Sequence, residues 1–198
     1  LAVTDHGNLH GAYEFYNIAK KFGIKPIIGI EAYMAPGDSS RKVRVRERWG
    51  TGGEDDVSGS GAYTHATLLA ETTEGMYNLF RLSSQAYLDG VYYKPRMDRE
   101  ILAKYAKGII GTTGCAGGEI QTLLRTKGYE AARDAAATYR DIFGKDNYYV
   151  ELMKHDIPIE RKTWDDVLRL AKDLSLPLLA TNDLHYVRPE DATPHEAL

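Results

Sequence analysis

The chain has 198 residues, of which 43% are hydrophobic and 27% are charged. These fractions are typical of a folded domain and exclude long disordered or collagen-like sequence. The 25 basic and 28 acidic residues give a formal net charge of −3, which excludes a basic nucleic-acid footprint over the whole domain. The length corresponds to one large domain or two small ones.

Short apolar runs alternate with helical patterns along the chain. In chain order, the pattern predicts a strand at Leu1–Thr4, a helix at Gly11–Phe22, strands at Pro26–Ala32 and Ala66–Ala70, helices at Thr73–Gln85 and Asp98–Tyr105, a strand at Gly108–Thr112, helices at Glu119–Leu124 and Tyr129–Phe143, a strand at Asn147–Leu152, a helix at Glu160–Leu174 and a strand at Leu178–Thr181. This alternation predicts an α/β fold with a mainly parallel sheet and helices packed outside it. At this point an open doubly wound sheet and a closed barrel both fit the pattern.

One segment, Pro36–Gly61, interrupts the alternation. It is rich in glycine, serine and charge and has no apolar periodicity. We expect a solvated, mobile insertion here, because a long loop in a compact domain is either functional or mobile. The alternative is a basic arm that contacts a phosphate backbone, with Arg44, Arg46 and Arg48 as DNA-binding candidates.

The single cysteine, Cys115, excludes an intrachain disulfide and fits a reducing compartment, so we expect a cytoplasmic protein. No apolar run is long enough for a membrane span, and no membrane partner is expected. The chain starts inside a predicted strand without a methionine, so we expect it to be part of a longer protein.

Metal-binding residue types follow the predicted strands. In parallel α/β folds the carboxyl ends of the strands meet at one edge, where the working residues usually lie. The residues found there are Asp5, His6, Glu31, Cys115, Glu151, Asp183 and His185. Imidazoles and carboxylates with few thiols suit zinc, manganese or iron, and a cluster of such ions can promote phosphoester hydrolysis.

The spacing within this set leaves two questions open. Asp183 and His185 alternate, so in an extended segment both can reach one ion, whereas the adjacent Asp5 and His6 would face opposite ways. Asp5 therefore also fits a place behind His6, as a partner that orients the ligand. His65 precedes its predicted strand, so in a parallel sheet it would lie at the wrong edge.

Several motifs resemble the PHP domain (polymerase and histidinol phosphatase) of bacterial DNA polymerase III alpha subunits. They are Thr4–Asn8, Gly29–Glu31, Gly90–Arg96, Gly111–Ile120, Tyr149–Leu152 and Thr181–His185. The resemblance covers essentially the whole chain. It implies a distorted (β/α)7 barrel with metal ions bound at one end.

The resemblance also implies a ligand set. Its members are His6, Glu31, His65, Cys115, Asp183 and His185, with Glu31 as a bridging carboxylate and Asp5 as a second-shell residue. Among them, His6, Asp183 and His185 are the expected catalytic residues. The family's first motif, an H-x-H with an acidic residue after it, is absent from this sequence and is expected upstream of Leu1.

This absence implies a partial PHP domain at residues 1–198, with a barrel that is incomplete at its amino-terminal side. We expect the isolated chain to bind metal poorly and to lack useful nuclease activity. The polymerase domains, with their Mg²⁺, would lie outside the chain.

The resemblance implies a DNA-directed DNA polymerase subunit whose PHP module is a metal-dependent 3′–5′ exonuclease that proofreads the primer terminus. The implied partners are DNA and, through the parent chain, the sliding clamp and clamp loader. The alternative is a catalytically silent module that steadies the polymerase or docks another subunit. A free-standing small-molecule phosphatase is a third reading, which the length of the resemblance disfavours.

Overall fold

The structure is a computed structural model that describes residues 1–47 and 59–197. Its elements are β1 (Ala2–His6), α1 (Ala12–Lys21), β2 (Ile27–Met34), β3 (Thr64–Ala70), α2 (Thr73–Asp89), β4 (Val91–Tyr92), β5 (Lys94–Met97), α3 (Arg99–Tyr105), β6 (Ile109–Thr112), α4 (Glu119–Thr126), α5 (Tyr129–Phe143), β7 (Tyr148–Leu152), α6 (Pro158–Arg161), α7 (Trp164–Asp173), β8 (Leu178–Ala180) and α8 (Ala192–His195). Every predicted element is present. None of the helices in these ranges combines the length and hydrophobicity that a bilayer span requires.

Two parts of the structure differ from the predicted elements. The helix predicted at Glu160–Leu174 is divided into α6 and α7 at Thr163, whose buried hydroxyl donates a hydrogen bond to the Gln121 side chain. The short β4–β5 hairpin was not predicted, because two- and four-residue strands carry too little alternation to stand out.

The eight strands of the described residues form one mixed sheet. The order is β4-β5-β2-β3-β6-β7-β8, and β1 pairs with β2 beside β5. Pairings β1–β2, β2–β5, β6–β7 and β7–β8 are parallel, whereas β3 is antiparallel to both β2 and β6. The prediction of an α/β, barrel-like PHP fold is confirmed, and the sheet does not close among the described strands. The expectation of a mainly parallel sheet was wrong at β3.

The core lies between the sheet and the helices α2, α3, α4, α5 and α7. Its fully buried members include Ile30, Leu68, Leu79, Leu82, Leu102, Ile109, Ala132, Val150 and Leu170. Helix α2 begins where Thr72 accepts a hydrogen bond from the Gly75 amide, and α3 begins where Asp98 accepts one from the Ile101 amide. Gly75 is required there, because a Cβ on it would lie 1.7 Å from the Gly108 carbonyl oxygen.

The amino-terminal part of the insertion is attached to the domain by buried arginines. Arg41 is 5% exposed and pairs with Asp98 and Asp89, with its Nε 2.7 Å from Asp89 Oδ1. Arg96 is fully buried and donates hydrogen bonds to the carbonyls of Gly90, Ala62, Arg41 and Val43. Residues 48–58, including Arg48, lie outside the described residues. The mobility expected for the insertion therefore stays a prediction.

Substituting Arg96→Met should lower the free energy of unfolding by about 3–5 kcal/mol, because four buried carbonyls would lose their donor. The matched control is Arg133→Met, an arginine that pairs only with Glu130 and Asp134 on the surface and should change stability by less than about 1 kcal/mol. Urea unfolding of both variants measures the difference. Equal losses would contradict the role given to Arg96.

Candidate metal centre

The centre is built around Glu31, near the carboxyl end of β2. In the sheet register, His6 of β1 lies opposite Glu31, and His65 of β3 lies opposite Tyr33. Directly opposed residues and alternate residues of a strand share a face, so these side chains come to one side of the sheet. Glu31 is 7% exposed, His65 is half-buried and His6 is exposed.

His65 lies at this edge because β3 runs antiparallel to β2. The amino end of an antiparallel strand lies beside the carboxyl ends of its parallel neighbours, which removes the objection that the sequence raised. His65 Nδ1 is 2.6 Å from Glu31 Oε1. His6 Nε2 is 3.6 Å from Glu31 Oε2, so the carboxylate is flanked by two imidazoles.

Asp183 and His185 reach the same place from the loop after β8. Asp183 has a φ of 46°, in the left-handed region, and its carbonyl oxygen lies 2.8 Å from His185 Nδ1. Since a carbonyl only accepts, Nδ1 carries the proton and leaves the Nε2 lone pair free. His185 Nε2 lies 3.3 Å from His6 Nε2. Two imidazole nitrogens at this distance need a proton or a cation between them.

The ligand atoms form two overlapping trios, each within 4.8 Å. One trio is His6, Glu31 and His65, and the other is Glu31, Asp183 and His185. Glu31 belongs to both trios, as expected for a bridging carboxylate. Imidazole nitrogens with carboxylate oxygens are a donor set that divalent transition ions favour, so the residues present fit such ions.

The electrostatics of the site also favour bound positive charge. Burial by itself would raise the pKa of Glu31, but the hydrogen bond with His65 and the nearby His6 and His185 outweigh it and lower that pKa. Burial and the negative charge of Glu31 raise the pKa of Asp183. Two carboxylates so close together repel each other when both are ionised, and a cation between them would remove that cost.

Cys115 lies beside the centre but outside both trios. Its Sγ is 4.0 Å from His65 Nδ1. Burial, with the negative charges of Glu31 and Asp183, raises its pKa to about 12, so the thiol is protonated in this state. The resemblance assigns Cys115 as a ligand, and that assignment stays a prediction.

The structure places Asp5 away from this cluster. Its Oδ2 accepts a hydrogen bond of 2.7 Å from the Gly11 amide, just before α1 begins. Asp5 and His6 are neighbours on β1 and therefore point to opposite faces. Asp5 thus fixes the entry into α1, a role that its position beside His6 in the sequence did not indicate.

Two further residues hold the ligand loop and were not among the predicted site residues. Glu151 is 4% exposed, accepts hydrogen bonds from the Thr112 and Thr181 hydroxyls, and so joins the ends of β6, β7 and β8. His155 Nε2 lies 2.9 Å from the Asn182 carbonyl oxygen, next to Asp183. The position of Glu151 after a strand was the only sequence signal, while His155 resembled a surface histidine.

The arginines proposed for DNA contact are only partly covered by the structure. Arg44 and Arg46 are exposed, and the Arg46 guanidinium lies 4.6 Å above the centre of the Tyr93 ring.

Comparisons with known proteins agree with this geometry. The family model described as "PHP domain" matches residues 1–155. The chain belongs to the PHP domain family. PHP domains generally bind divalent metals, which is consistent with the two trios around Glu31.

The full length of this PHP chain is homologous to the amino-terminal region of bacterial DNA polymerase III alpha subunits. It is 53% identical to that of Saccharopolyspora erythraea over 207 residues and 53% identical to that of Mycobacterium tuberculosis over 201 residues, covering 100% of the chain and 17% of each relative. The Deinococcus radiodurans subunit is 46% identical over 198 residues, with 14% of its length covered. The chain therefore spans about a sixth of the relatives it matches.

The His155–Glu160 pair predicts a pH-dependent contribution to stability. His155 Nδ1 is 2.6 Å from Glu160 Oε1, and this hydrogen bond raises the pKa of His155 above its ordinary value of 6.5. A raised folded-state pKa stabilises the fold below about pH 6.5, and that stability is lost as the pH rises through the folded-state pKa. Because His155 is partly exposed, we expect less than about 1 kcal/mol.

An NMR titration of the His155 ring should give a midpoint above 6.5 that falls in Glu160→Gln. The control is Glu74→Gln, an exposed carboxylate on α2 that pairs with Lys107, which should leave the midpoint unchanged. An unaltered midpoint in Glu160→Gln would show that the pair does not set the charge of His155.

Proposed function

We propose that this chain is the PHP domain of a DNA polymerase III alpha subunit and acts as a metal-dependent 3′–5′ exonuclease on mispaired primer ends. The observation that carries the proposal is the pair of trios sharing Glu31. They lie beside a cleft of about 600 Å³ that is lined by the β1 and β8 strands together with His6, Glu31, Asp183 and His185. An open cleft of this size admits a strand terminus.

Each residue has a part in the proposed reaction. His6, Glu31 and His65 would hold one ion, and Glu31, Asp183 and His185 a second. Divalent ions bound there would polarise the scissile phosphodiester and lower the pKa of the attacking water. His6 and His185 are exposed, so they are the ligands nearest to an incoming phosphate, whereas Glu31 and His65 lie deeper and fix the geometry.

The parent protein that we infer is a DNA-directed DNA polymerase of the cytoplasm that acts in DNA replication. Its substrates would be primed DNA and nucleotides, handled with Mg²⁺ by domains outside this chain, and its partners would be the sliding clamp and clamp loader. Zinc, manganese and iron all suit the imidazole and carboxylate ligands of the PHP centre.

A scaffold without nuclease activity is the second candidate. The observation that favours it is the amount of structure devoted to holding the site: Glu151, Thr112 and Thr181 form a buried hydrogen-bonded group that joins three strands. A metal site kept only for stability would have the same support. Measurement of activity separates the two functions.

Substituting Asp183→Asn in the full-length parent should reduce degradation of a mismatched primer by at least about a hundredfold, because the second trio loses a carboxylate. The control is Asp165→Asn, an exposed residue of α7. Primer extension should be unchanged in both variants. Unaltered degradation by Asp183→Asn, with bound metal reduced, would reject the exonuclease and support the scaffold.

A further inference from the structure

An exposed group of aromatic and basic side chains leads away from the metal centre along the β4–β5 hairpin. We name it the hairpin strip and define it by Tyr63, Tyr93, Lys94 and Arg46. None of these residues holds the proposed ions, and only Arg46 was singled out from the sequence.

The inner end of the hairpin strip contacts the metal-binding histidines. The Tyr63 ring stacks on the His65 ring with centroids 5.8 Å apart and planes at 15°. The buried ring of Tyr33 lies 4.9 Å from Tyr63 and 6.1 Å from His6. Lys94 Nζ lies 5.5 Å from the centre of the Tyr33 ring, so a cation is placed directly beside the site.

The outer end of the hairpin strip is a ring held in an unfavourable backbone conformation. Tyr92 pairs with Lys94, which leaves Tyr93 alone in the turn with a φ of 64°. Bulky residues are rarely found in this region, and such strain tends to persist at functional positions. The Tyr93 side chain is 65% exposed, so burial in this chain does not offset the strain.

The two cations of the hairpin strip differ from the other basic residues around them. Arg41 and Lys42 pair with Asp89, and Arg99 pairs with Glu119. Within residues 1–47 and 59–197, neither Arg46 nor Lys94 forms an ion pair with a carboxylate, and both are exposed. Their charge is thus available for an anionic ligand.

We propose that the hairpin strip binds the unpaired 3′ end of a nucleic-acid strand and leads it to the metal centre. Tyr93 would stack on a base, while Lys94 and Arg46 contact phosphates, the combination by which proteins hold single strands without reading sequence. The inference rests on the proposed function, because it names the substrate form that the centre would receive. A stacked ring needs a free base face, so frayed, mispaired ends bind better than paired ones.

Photo-crosslinking tests the contact independently of catalysis. Full-length protein carrying Asp183→Asn, so that the strand stays intact, is irradiated with an oligonucleotide that has 4-thiothymidine near its 3′ end. The adduct should map to the peptide containing residues 91–97, persist in Tyr93→Phe and fall about tenfold in Tyr93→Leu. An adduct confined to other peptides, or an equal yield in Tyr93→Leu, would overturn the proposal.

Kinetics on the otherwise unmodified full-length protein give the second measurement. Tyr93→Leu should raise KM for a single strand about tenfold, a larger effect than on kcat. Arg46→Gln with Lys94→Gln should reduce the salt dependence of binding by about 0.7 per phosphate contact in the log–log slope. The control is Lys104→Gln, a cation 5.1 Å from the Tyr105 ring at the end of α3, before β6 begins and so at the opposite sheet edge.

The outcomes separate the two proposals. If the unmodified protein does not degrade DNA but the crosslink maps to the hairpin, the exonuclease fails and the hairpin strip stands. If degradation occurs and the hairpin variants behave like Lys104→Gln, the strip is not the path of the strand and an acidic polypeptide becomes its better ligand.

Discussion

A buried carboxylate organises this domain. Glu31 lies in the interior edge of the sheet with 7% of its surface exposed, and an ionised carboxylate there is costly unless cations or donors surround it. His65 donates to one of its oxygens, and His6 approaches the other. The fold therefore has to bring imidazoles from two other strands to the same place, and the pairing of β1, β2 and β3 does so.

That pairing connects the fold to its proposed chemistry. One parallel and one antiparallel neighbour place His6 and His65 on the face of Glu31, and the loop after β8 adds Asp183 and His185 from the other side of the cleft. Glu151 and His155 hold that loop from beneath and from outside. The hairpin strip begins where the histidines end, so the same arrangement that compensates Glu31 also produces a route toward it.

Much of this could be predicted from the sequence, and what could not has a physical cause. Strand ends carrying His6, Glu31 and Asp183-x-His185 were visible, because apolar runs and the residues after them are local features. The position of His65 was not, since strand direction depends on which segments pair across the sheet. The separation of Asp5 from His6 and the support given by Glu151 depend on side-chain direction and burial, which spacing along the chain does not encode.

The most direct measurement is an anomalous-scattering map of Mn²⁺-soaked crystals of the parent protein. The account predicts two peaks that both contact Glu31, one also near His6 and His65 and the other near Asp183 and His185. Peaks that leave Glu31 without a contact, or no peaks in a structure with these side chains ordered, would contradict it.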